Sequence, residues 1–335
     1  MMTGQFLGLM LDAFVDGRSA SAFGVGRMAF AEGDALPNSA LGYGARPQSP
    51  RLDLSFERRW SVWSTGFGGA GGFGGNTSIG SHDATLSTYG VAVGLDYRFS
   101  PDMVGGIAVA GGGTSWGLAS GLGGGSSDAF LVGAYAAARS GPAYLATSIA
   151  FANHWVSTDR IGVNGDRLKG DFVGQDIGGR IEGGYRFGDI FGGITPYAAV
   201  QAQVFQAPAY TETDTDNGPF ALRYNAKDTS DTRAEFGARF DTKQQVSPIS
   251  ALTLRSRLAW AHNWVSNPSL NPSFQALPGA SFTVTGATPA KDLLLASAGF
   301  DLNLTSGVMF SGKFDGEFGR NTHIFSGTAS LRYRW

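Results

Sequence analysis

From Trp60 to the carboxyl terminus the chain repeatedly reads with a period of two, an apolar side chain followed by a small or polar one, which is the signature of a half-wetted β-strand. The terminal segment shows this most plainly. Phe325, Gly327, Ala329, Leu331, Tyr333 and Trp335 fall on one face, and Ser326, Thr328, Ser330, Arg332 and Arg334 on the other. Earlier, Tyr89, Val91, Val93, Leu95, Tyr97 and Phe99 alternate with Gly90, Ala92, Gly94, Asp96 and Arg98. In 172–187, Val173, Ile177, Ile181, Tyr185 and Phe187 oppose Asp176, Arg180, Glu182 and Arg186. Ala234, Phe236, Ala238 and Phe240 oppose Arg233, Glu235, Arg239 and Asp241. Leu252, Leu254, Leu258, Trp260 and Trp264 oppose Arg255, Arg257 and Asn263, and Leu294, Phe300 and Leu302 oppose Asp301 and Asn303. Val308, Phe310, Phe314 and Phe318 oppose Lys313, Asp315 and Glu317. With the segments 60–68, 103–116, 129–139, 143–156 and 194–205, the pattern predicts twelve strands. The faces of 129–139 and 194–205 stay unassigned, because small residues occupy both.

Strand length decides which solvent the apolar face meets. Soluble strands run to ~5–6 residues, whereas crossing a bilayer at a tilt takes ~9–11. Most of these segments are of the longer kind. Aromatic residues gather near strand ends (Trp60, Trp63, Tyr97, Phe99, Trp155, Tyr185, Phe187, Trp264, Tyr333, Trp335), as girdles at the two edges of a membrane would. Short links, Ser100-Pro101-Asp102, Ser140-Gly141-Pro142 and Thr305-Ser306-Gly307, alternate with longer polar ones at about 69–86, 117–127, 157–170, 206–230 and 265–291. The link after the eleventh strand is a short exception. The fold expected is all-β, a twelve-stranded antiparallel transmembrane β-barrel, since only a closed sheet satisfies every backbone group in lipid.

Ahead of the strands, Phe6, Leu9 or Met10, and Ala13 or Phe14 recur at helical spacing, and Asp16-Gly17-Arg18 supplies a stop. This helix either packs on a core or plugs the barrel. The Ala-, Gly-, Ser- and Pro-rich stretch that follows reads as a linker. The expected division is 1–20 helix, 21–57 linker and 58–335 barrel.

Composition narrows the chemistry. The 335 residues carry a net charge of −2, which gives no electrostatic case for nucleic acid. Mean hydropathy is −0.05 and no run approaches the ~20 apolar residues of a spanning helix. Fifty-one glycines are scattered without period, and there is no cysteine, hence no disulfide and no thiolate site. No metal or cofactor is expected. Met1-Met2-Thr3-Gly4-Gln5 does not open a signal peptide, so the sequence is expected to be the carboxyl-terminal piece of a longer precursor.

Charges on the polar faces would cost ~2–4 kcal/mol each against lipid, and are tolerated in a wet lumen. Arg180, Glu182, Arg233, Glu235, Arg239, Arg255, Arg257, Lys313, Asp315, Glu317, Arg332 and Arg334 are therefore expected to face inward. Asp12 and Asp16 on the helix could pair with lumenal arginines, Arg255 among them. Of the four histidines, His82 lies beside Asp83 in a predicted loop and His154 near one end of a strand; neither has the spacing of a hydrolase motif, so no catalytic residue is expected.

The residues Phe6-Leu7-Gly8-Leu9-Met10-Leu11-Asp12-Ala13-Phe14-Val15-Asp16, the strands 60–69 and 90–97, the stretch 273–282, Asp315-Gly316-Glu317-Phe318 and the closing Leu331-Arg332-Tyr333-Arg334-Trp335 together resemble the β-domain (translocator) of a monomeric autotransporter of type V secretion. The resemblance implies that the helix, with Phe6, Leu9, Met10, Asp12, Phe14 and Asp16, threads the lumen. It implies a bacterial outer-membrane location, contact with outer-membrane lipid, and an amino-terminal passenger carried to or anchored at the cell surface. It also implies that Phe325, Leu331, Tyr333 and Trp335 signal to the barrel-assembly machinery, and that the domain is a monomer and no enzyme. Residues 1–20 lack the asparagine pair at which some members cut themselves. The alternatives are a passive porin or adhesin-like barrel, and a surface hydrolase using His82 or His154.

Overall fold

A computed structural model describes residues 2–15, 59–75, 81–162, 165–189, 191–216, 218–247, 250–266, 269–277, 279–285, 290–304 and 307–335. The expected linker 21–57 and the helix stop at Asp16 lie outside them. One helix, α1 (Met2–Val15), precedes twelve long strands: β1 (Trp60–Phe73), β2 (Ala84–Ser100), β3 (Met103–Leu118), β4 (Gly123–Ser140), β5 (Ala143–Ile161), β6 (Arg167–Tyr185), β7 (Gly192–Ala207), β8 (Lys227–Ser247), β9 (Ser250–Val265), β10 (Asp292–Asn303), β11 (Val308–Gly319) and β12 (Thr322–Arg334).

Each strand pairs antiparallel with the next, and β1 pairs with β12 from Ser61–Arg334 to Phe73–Thr322, so the sheet closes. Trp60 and Trp335 exchange backbone hydrogen bonds at 3.3 and 3.1 Å, which carries the seam to the chain's last residue. Closure removes the free edge that lipid could not hydrate.

The period-two pattern sorts as expected. Val91, Ile107, Ile149, Ile181, Leu258 and Phe314 are exposed on the outside, while Ala92, Ala108, Ala150, Glu182, Arg255 and Arg332 are buried inside. The structure settles both ambiguous strands. Ser127, Ala129, Leu131, Gly133, Tyr135 and Ala137 of β4 face inward, as do Thr195, Tyr197 and Ala199 of β7.

Two expectations are corrected. The long links are mostly strand. Strands of up to 21 residues exceed the ~9–11 that lipid requires, because backbone pairing continues through polar and glycine residues after the apolar alternation stops. The links 208–226 and 266–291 remain long and 74–83 keeps an intermediate length, while 119–122 and 162–166 are short. The second correction is Trp63. It is 4% exposed and points into the lumen, so it is no part of a girdle. Trp60, at the same end, does face out, packed at a tilt against Tyr97 with ring centroids 4.8 Å apart.

α1 lies inside the barrel. Fourteen residues are marginal as a free helix, and this one is held by packing: Phe6, Leu7, Met10, Leu11 and Phe14 are at most 3% exposed, against Ala92, Ala110, Ala129, Leu131, Ala150 and Ala152 of β2–β5. Two glycines admit it. A Cβ on Gly133 would meet Met10 Sδ at 2.8 Å, and one on Gly178 would meet Leu7 Cδ1 at 3.1 Å. No helix among the described residues is long and apolar enough to cross a membrane, which says nothing about crossing with strands.

Candidate functional site

The site is the lumen. α1 runs along it with its amino-terminal turn near Gln201 and Gln203, toward the end bearing the two long loops. Its carboxyl-terminal turn reaches the short-turn end, where Phe14 lies 5.9 Å from the Tyr135 ring. Ser148 Oγ donates to the Leu7 carbonyl at 3.0 Å, pinning the middle of the helix to β5.

Opposite the bed of α1 the wall is charged, and the charges pair in sequence around the barrel. Arg180 donates to Glu235 through both terminal nitrogens, at 2.9 and 2.8 Å, and to Glu182 at 2.8 Å. Arg239 joins Glu182 from the other side, donates to the Tyr144 hydroxyl, and lies 3.8 Å above the Tyr197 ring. Arg257 bridges Glu235 at 3.7 Å and Asp315 at 3.1 Å. Lys313 bridges Asp315 at 3.3 Å and Asp12 of the helix at 2.8 Å. Arg233 forks onto Glu317 at 3.0 and 2.8 Å, and Arg255 pairs with Asp301 at 2.9 Å.

These bonds link Arg180, Glu182, Glu235, Arg239, Arg257, Asp315 and Lys313 in one chain, with Arg233–Glu317 and Arg255–Asp301 as separate pairs. They also correct the pairing expected for the helix. Asp12 meets Lys313, not an arginine, and Arg255 is taken by Asp301, its neighbour on β10. Asp16 lies outside the described residues. Arg334 occupies an inward position at the short-turn end of β12.

A knot at the seam was not anticipated. Asp96 of β2 accepts from Ser61 at 2.6 Å, from Trp63 at 3.3 Å, and from Tyr135 and Arg332. Arg332 thereby reaches from β12 across β1 to β2. Its signal in the sequence is slight: a tryptophan out of step with the apolar face of its own strand.

Between α1 and the charged wall lies a cavity of about 360 Å³. Gly4, Gly8, Leu9 and Asp12 of the helix border it, with Arg233, Glu235, Arg257, Lys313 and Glu317 facing them. Leu9 thus looks into the cavity while Phe6 and Met10 pack on the wall.

The histidines do not converge on a hydrolytic site. His154 faces inward with Nδ1 at 3.4 Å from Ser127 Oγ. His82 is exposed in a loop, and His262 pairs with Asp292 on the outer surface at 2.7 Å. No group of acidic residues and histidines suited to a metal occurs among the described residues. Outside the membrane the short-turn loop carries one perturbed acid: backbone N–H groups of Phe191 and Gly192 hold Asp189 below the usual carboxylate range.

The profile of the autotransporter β-domain family matches residues 62–315. An extracellular serine protease of Serratia marcescens is 26% identical over 283 residues, covering 82% of this chain; the chain spans only 26% of that relative's length. The translocator domain of the autotransporter NalP from Neisseria meningitidis superposes with a TM-score of 0.64 at 15% identity, covering 83% of this chain and 89% of that one. The β-domain of the Bordetella autotransporter BrkA gives 0.61 at 19%, covering 82% and 99%.

Proposed function

Because the chain belongs to the autotransporter β-domain family and is an outer-membrane translocator domain, we propose that it carries a passenger attached ahead of α1 and holds it at the cell surface. The direction of the helix carries this reading. α1 points its amino-terminal end toward the long loops, which lie outside the cell in outer-membrane barrels. A segment joined to Met2 would therefore emerge there, while β1 starts at the periplasmic end. The lumen-facing charges hydrate the bore and fix strand register by cross-strand pairing. Phe6, Met10 and Phe14 seat the plug, with Asp12 as its polar anchor.

In this reading the domain performs no catalysis and acts as a monomer. The protease activity in the name of the Serratia relative is not carried over, since the chain spans so little of that protein. Residues 1–20 offer no asparagine pair for self-cleavage, so the passenger stays attached or is released by another route. Phe325, Leu331, Tyr333 and Trp335 of the last strand are the surface offered to the barrel-assembly machinery before closure.

The test is an epitope fused directly before Met1. Antibody binding to intact cells is the expected result. A tag reached only after the outer membrane is breached would overturn the reading.

A further inference from the structure

Two loops at the same end of the barrel are tied to each other. Residues 208–226 link β7 to β8, and 266–291 link β9 to β10. Within them Arg223 and Tyr224 pair with Thr211 and Tyr210, and Leu222 and Arg223 pair with Phe274 and Ser273, giving a small three-stranded sheet. Gln275 reinforces it, donating through Nε2 to the carbonyls of Glu212 at 2.7 Å and Leu222 at 3.1 Å.

This sheet is fastened to the barrel wall above β5 and β6 in three ways. Thr213 and Asp214 extend the ladder of β6 opposite Lys169 and Leu168. Tyr210 stacks between Phe172 of β6 and Tyr224, with centroids 4.5 and 4.6 Å away. Arg160 of β5 forks onto Glu212, with Nε at 3.0 Å and Nη2 at 2.6 Å. Glu212 also accepts from the Leu222 N–H at 2.9 Å and the Tyr224 hydroxyl at 3.3 Å. It is 5% exposed, at the end of the barrel where a carboxylate could otherwise sit in water. Burying a carboxylate is costly unless it is paired and fully hydrogen-bonded, and here its donors come from the wall, through Arg160, and from its own loop, through Leu222 and Tyr224. Leu168 beneath is fully buried.

We propose that the small sheet, with the segments 210–216, 222–224 and 273–277 that build it, forms a lid, latched by Glu212, that closes the part of the lumen mouth above β5 and β6. The carboxylate is the shared point of the ion-paired fastening: losing it strands the Arg160 fork, the Leu222 N–H and Tyr224 together, so the wall contact at Arg160 and the bracing of the 208–226 loop, on which 266–291 is paired, are lost in one step. The opposite side of the mouth, where Phe73, Leu86, Thr322 and Ile324 border the cavity beside α1, is left to the other loops. The inference needs only the barrel and stands whether or not a passenger is carried.

The chain has no cysteine, so Leu168→Cys is a clean reporter. Labelling is followed with a membrane-impermeant maleimide on the full chain refolded in liposomes. Ala119→Cys is the fast control: Ala119 is exposed in the tight β3–β4 connection at the same end of the barrel, outside both loops. Position 168 should label at least tenfold more slowly than the control, and Glu212→Ala should abolish most of that protection. Arg160→Lys, which keeps the charge but loses the fork, should give an intermediate rate. As a second readout without cysteine, trypsin should cut after Arg223 slowly in the unmodified chain and at least tenfold faster in Glu212→Ala, while barrel closure, read as heat-modifiable migration, is unchanged. If position 168 labels as fast as the control, or if Glu212→Ala moves neither the labelling nor the cleavage, there is no latched lid.

Discussion

The two halves of the lumen wall solve the same problem in opposite ways. From β2 to β5 the inward positions against the helix are mostly small and apolar, Ala92, Ala108, Ala129, Gly133, Ala150 and Ala152 among them, and α1 is pressed into that bed. From β6 to β11 the inward positions include the long charged side chains, which neutralise one another, Arg180 with Glu182 and Glu235, Arg257 with Asp315, Arg233 with Glu317, beside a smaller apolar cluster of Tyr197, Ala199, Ala259, Ala261, Leu293 and Leu295. The first half gives its interior to contact with a removable element. The second is complete without the helix and leaves a cavity beside it. A barrel that must hold a plug and still be a stable barrel separates the two tasks by sector, with apolar contact seating the helix and ion pairs bracing the wall.

Breaking the charged half should do the most damage. Arg180 serves two buried carboxylates, so Arg180→Ala leaves Glu235 and Glu182 under-compensated. Removing one partner of a buried pair costs ~3–5 kcal/mol. The expected outcome is a lower unfolding midpoint in urea, read by the heat-modifiable shift of the folded barrel. Arg180→Met with Glu235→Leu should recover part of the loss, since Arg239 still covers Glu182. An unchanged midpoint in the single variant would mean that the ring of charges braces nothing.

Breaking the apolar half should act on the plug first. In Gly133→Leu the new side chain would occupy the space of Met10, an overpacking worth ~1–3 kcal/mol that the barrel can relieve by releasing α1. Planar-bilayer recordings should then show larger or more frequent openings than the parent, and Met10→Ala in the same chain should restore the closed state. Gly111→Leu is the control, because a Cβ there faces outward with its nearest neighbour 3.8 Å away. Equal conductance in parent, Gly133→Leu and control would contradict a seated plug.

The sequence carried much of this and lost particular things for physical reasons. Period-two alternation found all twelve strands, because lipid outside and water inside punish any residue on the wrong face. Strand ends were misplaced where the chain leaves the bilayer: past Val156 on β5 or Gly68 on β1 no solvent contrast remains, and the ladder runs on through glycine and polar residues that look like loop. Trp63 was assigned to a girdle because an aromatic near a strand end is ambiguous; its partners, Asp96 and Tyr135, come from strands 33 and 72 residues away. The helix was legible as a helix, but its partner was not. Asp12 and Lys313 are 301 residues apart, and nothing local distinguishes Lys313 from the arginines around it.

Each half also holds α1 by a polar contact near the middle of the helix, and these two can be weighed against each other. From the bed, Ser148 donates to the Leu7 carbonyl in a buried setting. Ser148→Ala should weaken seating by about 1 kcal/mol, the net worth of a typical hydrogen bond, read as a roughly fivefold rise in open probability.

From the charged wall, Asp12 meets Lys313, with both side chains 16–18% exposed at the edge of the wet cavity. Partly hydrated pairs are worth below ~1 kcal/mol, and Lys313 keeps Asp315 at 3.3 Å when Asp12 is neutralised. Asp12→Asn should therefore raise open probability less than Ser148→Ala does. Salt separates the two contacts further. Going from about 0.1 to about 1 M shortens the screening length from ~10 to ~3 Å, so salt should loosen the plug in the parent and in Ser148→Ala but have little left to act on in Asp12→Asn. If the Asp12→Asn effect instead exceeds that of Ser148→Ala and keeps its full salt response, the helix is held by the charged half, and the division of labour between the two walls is wrong.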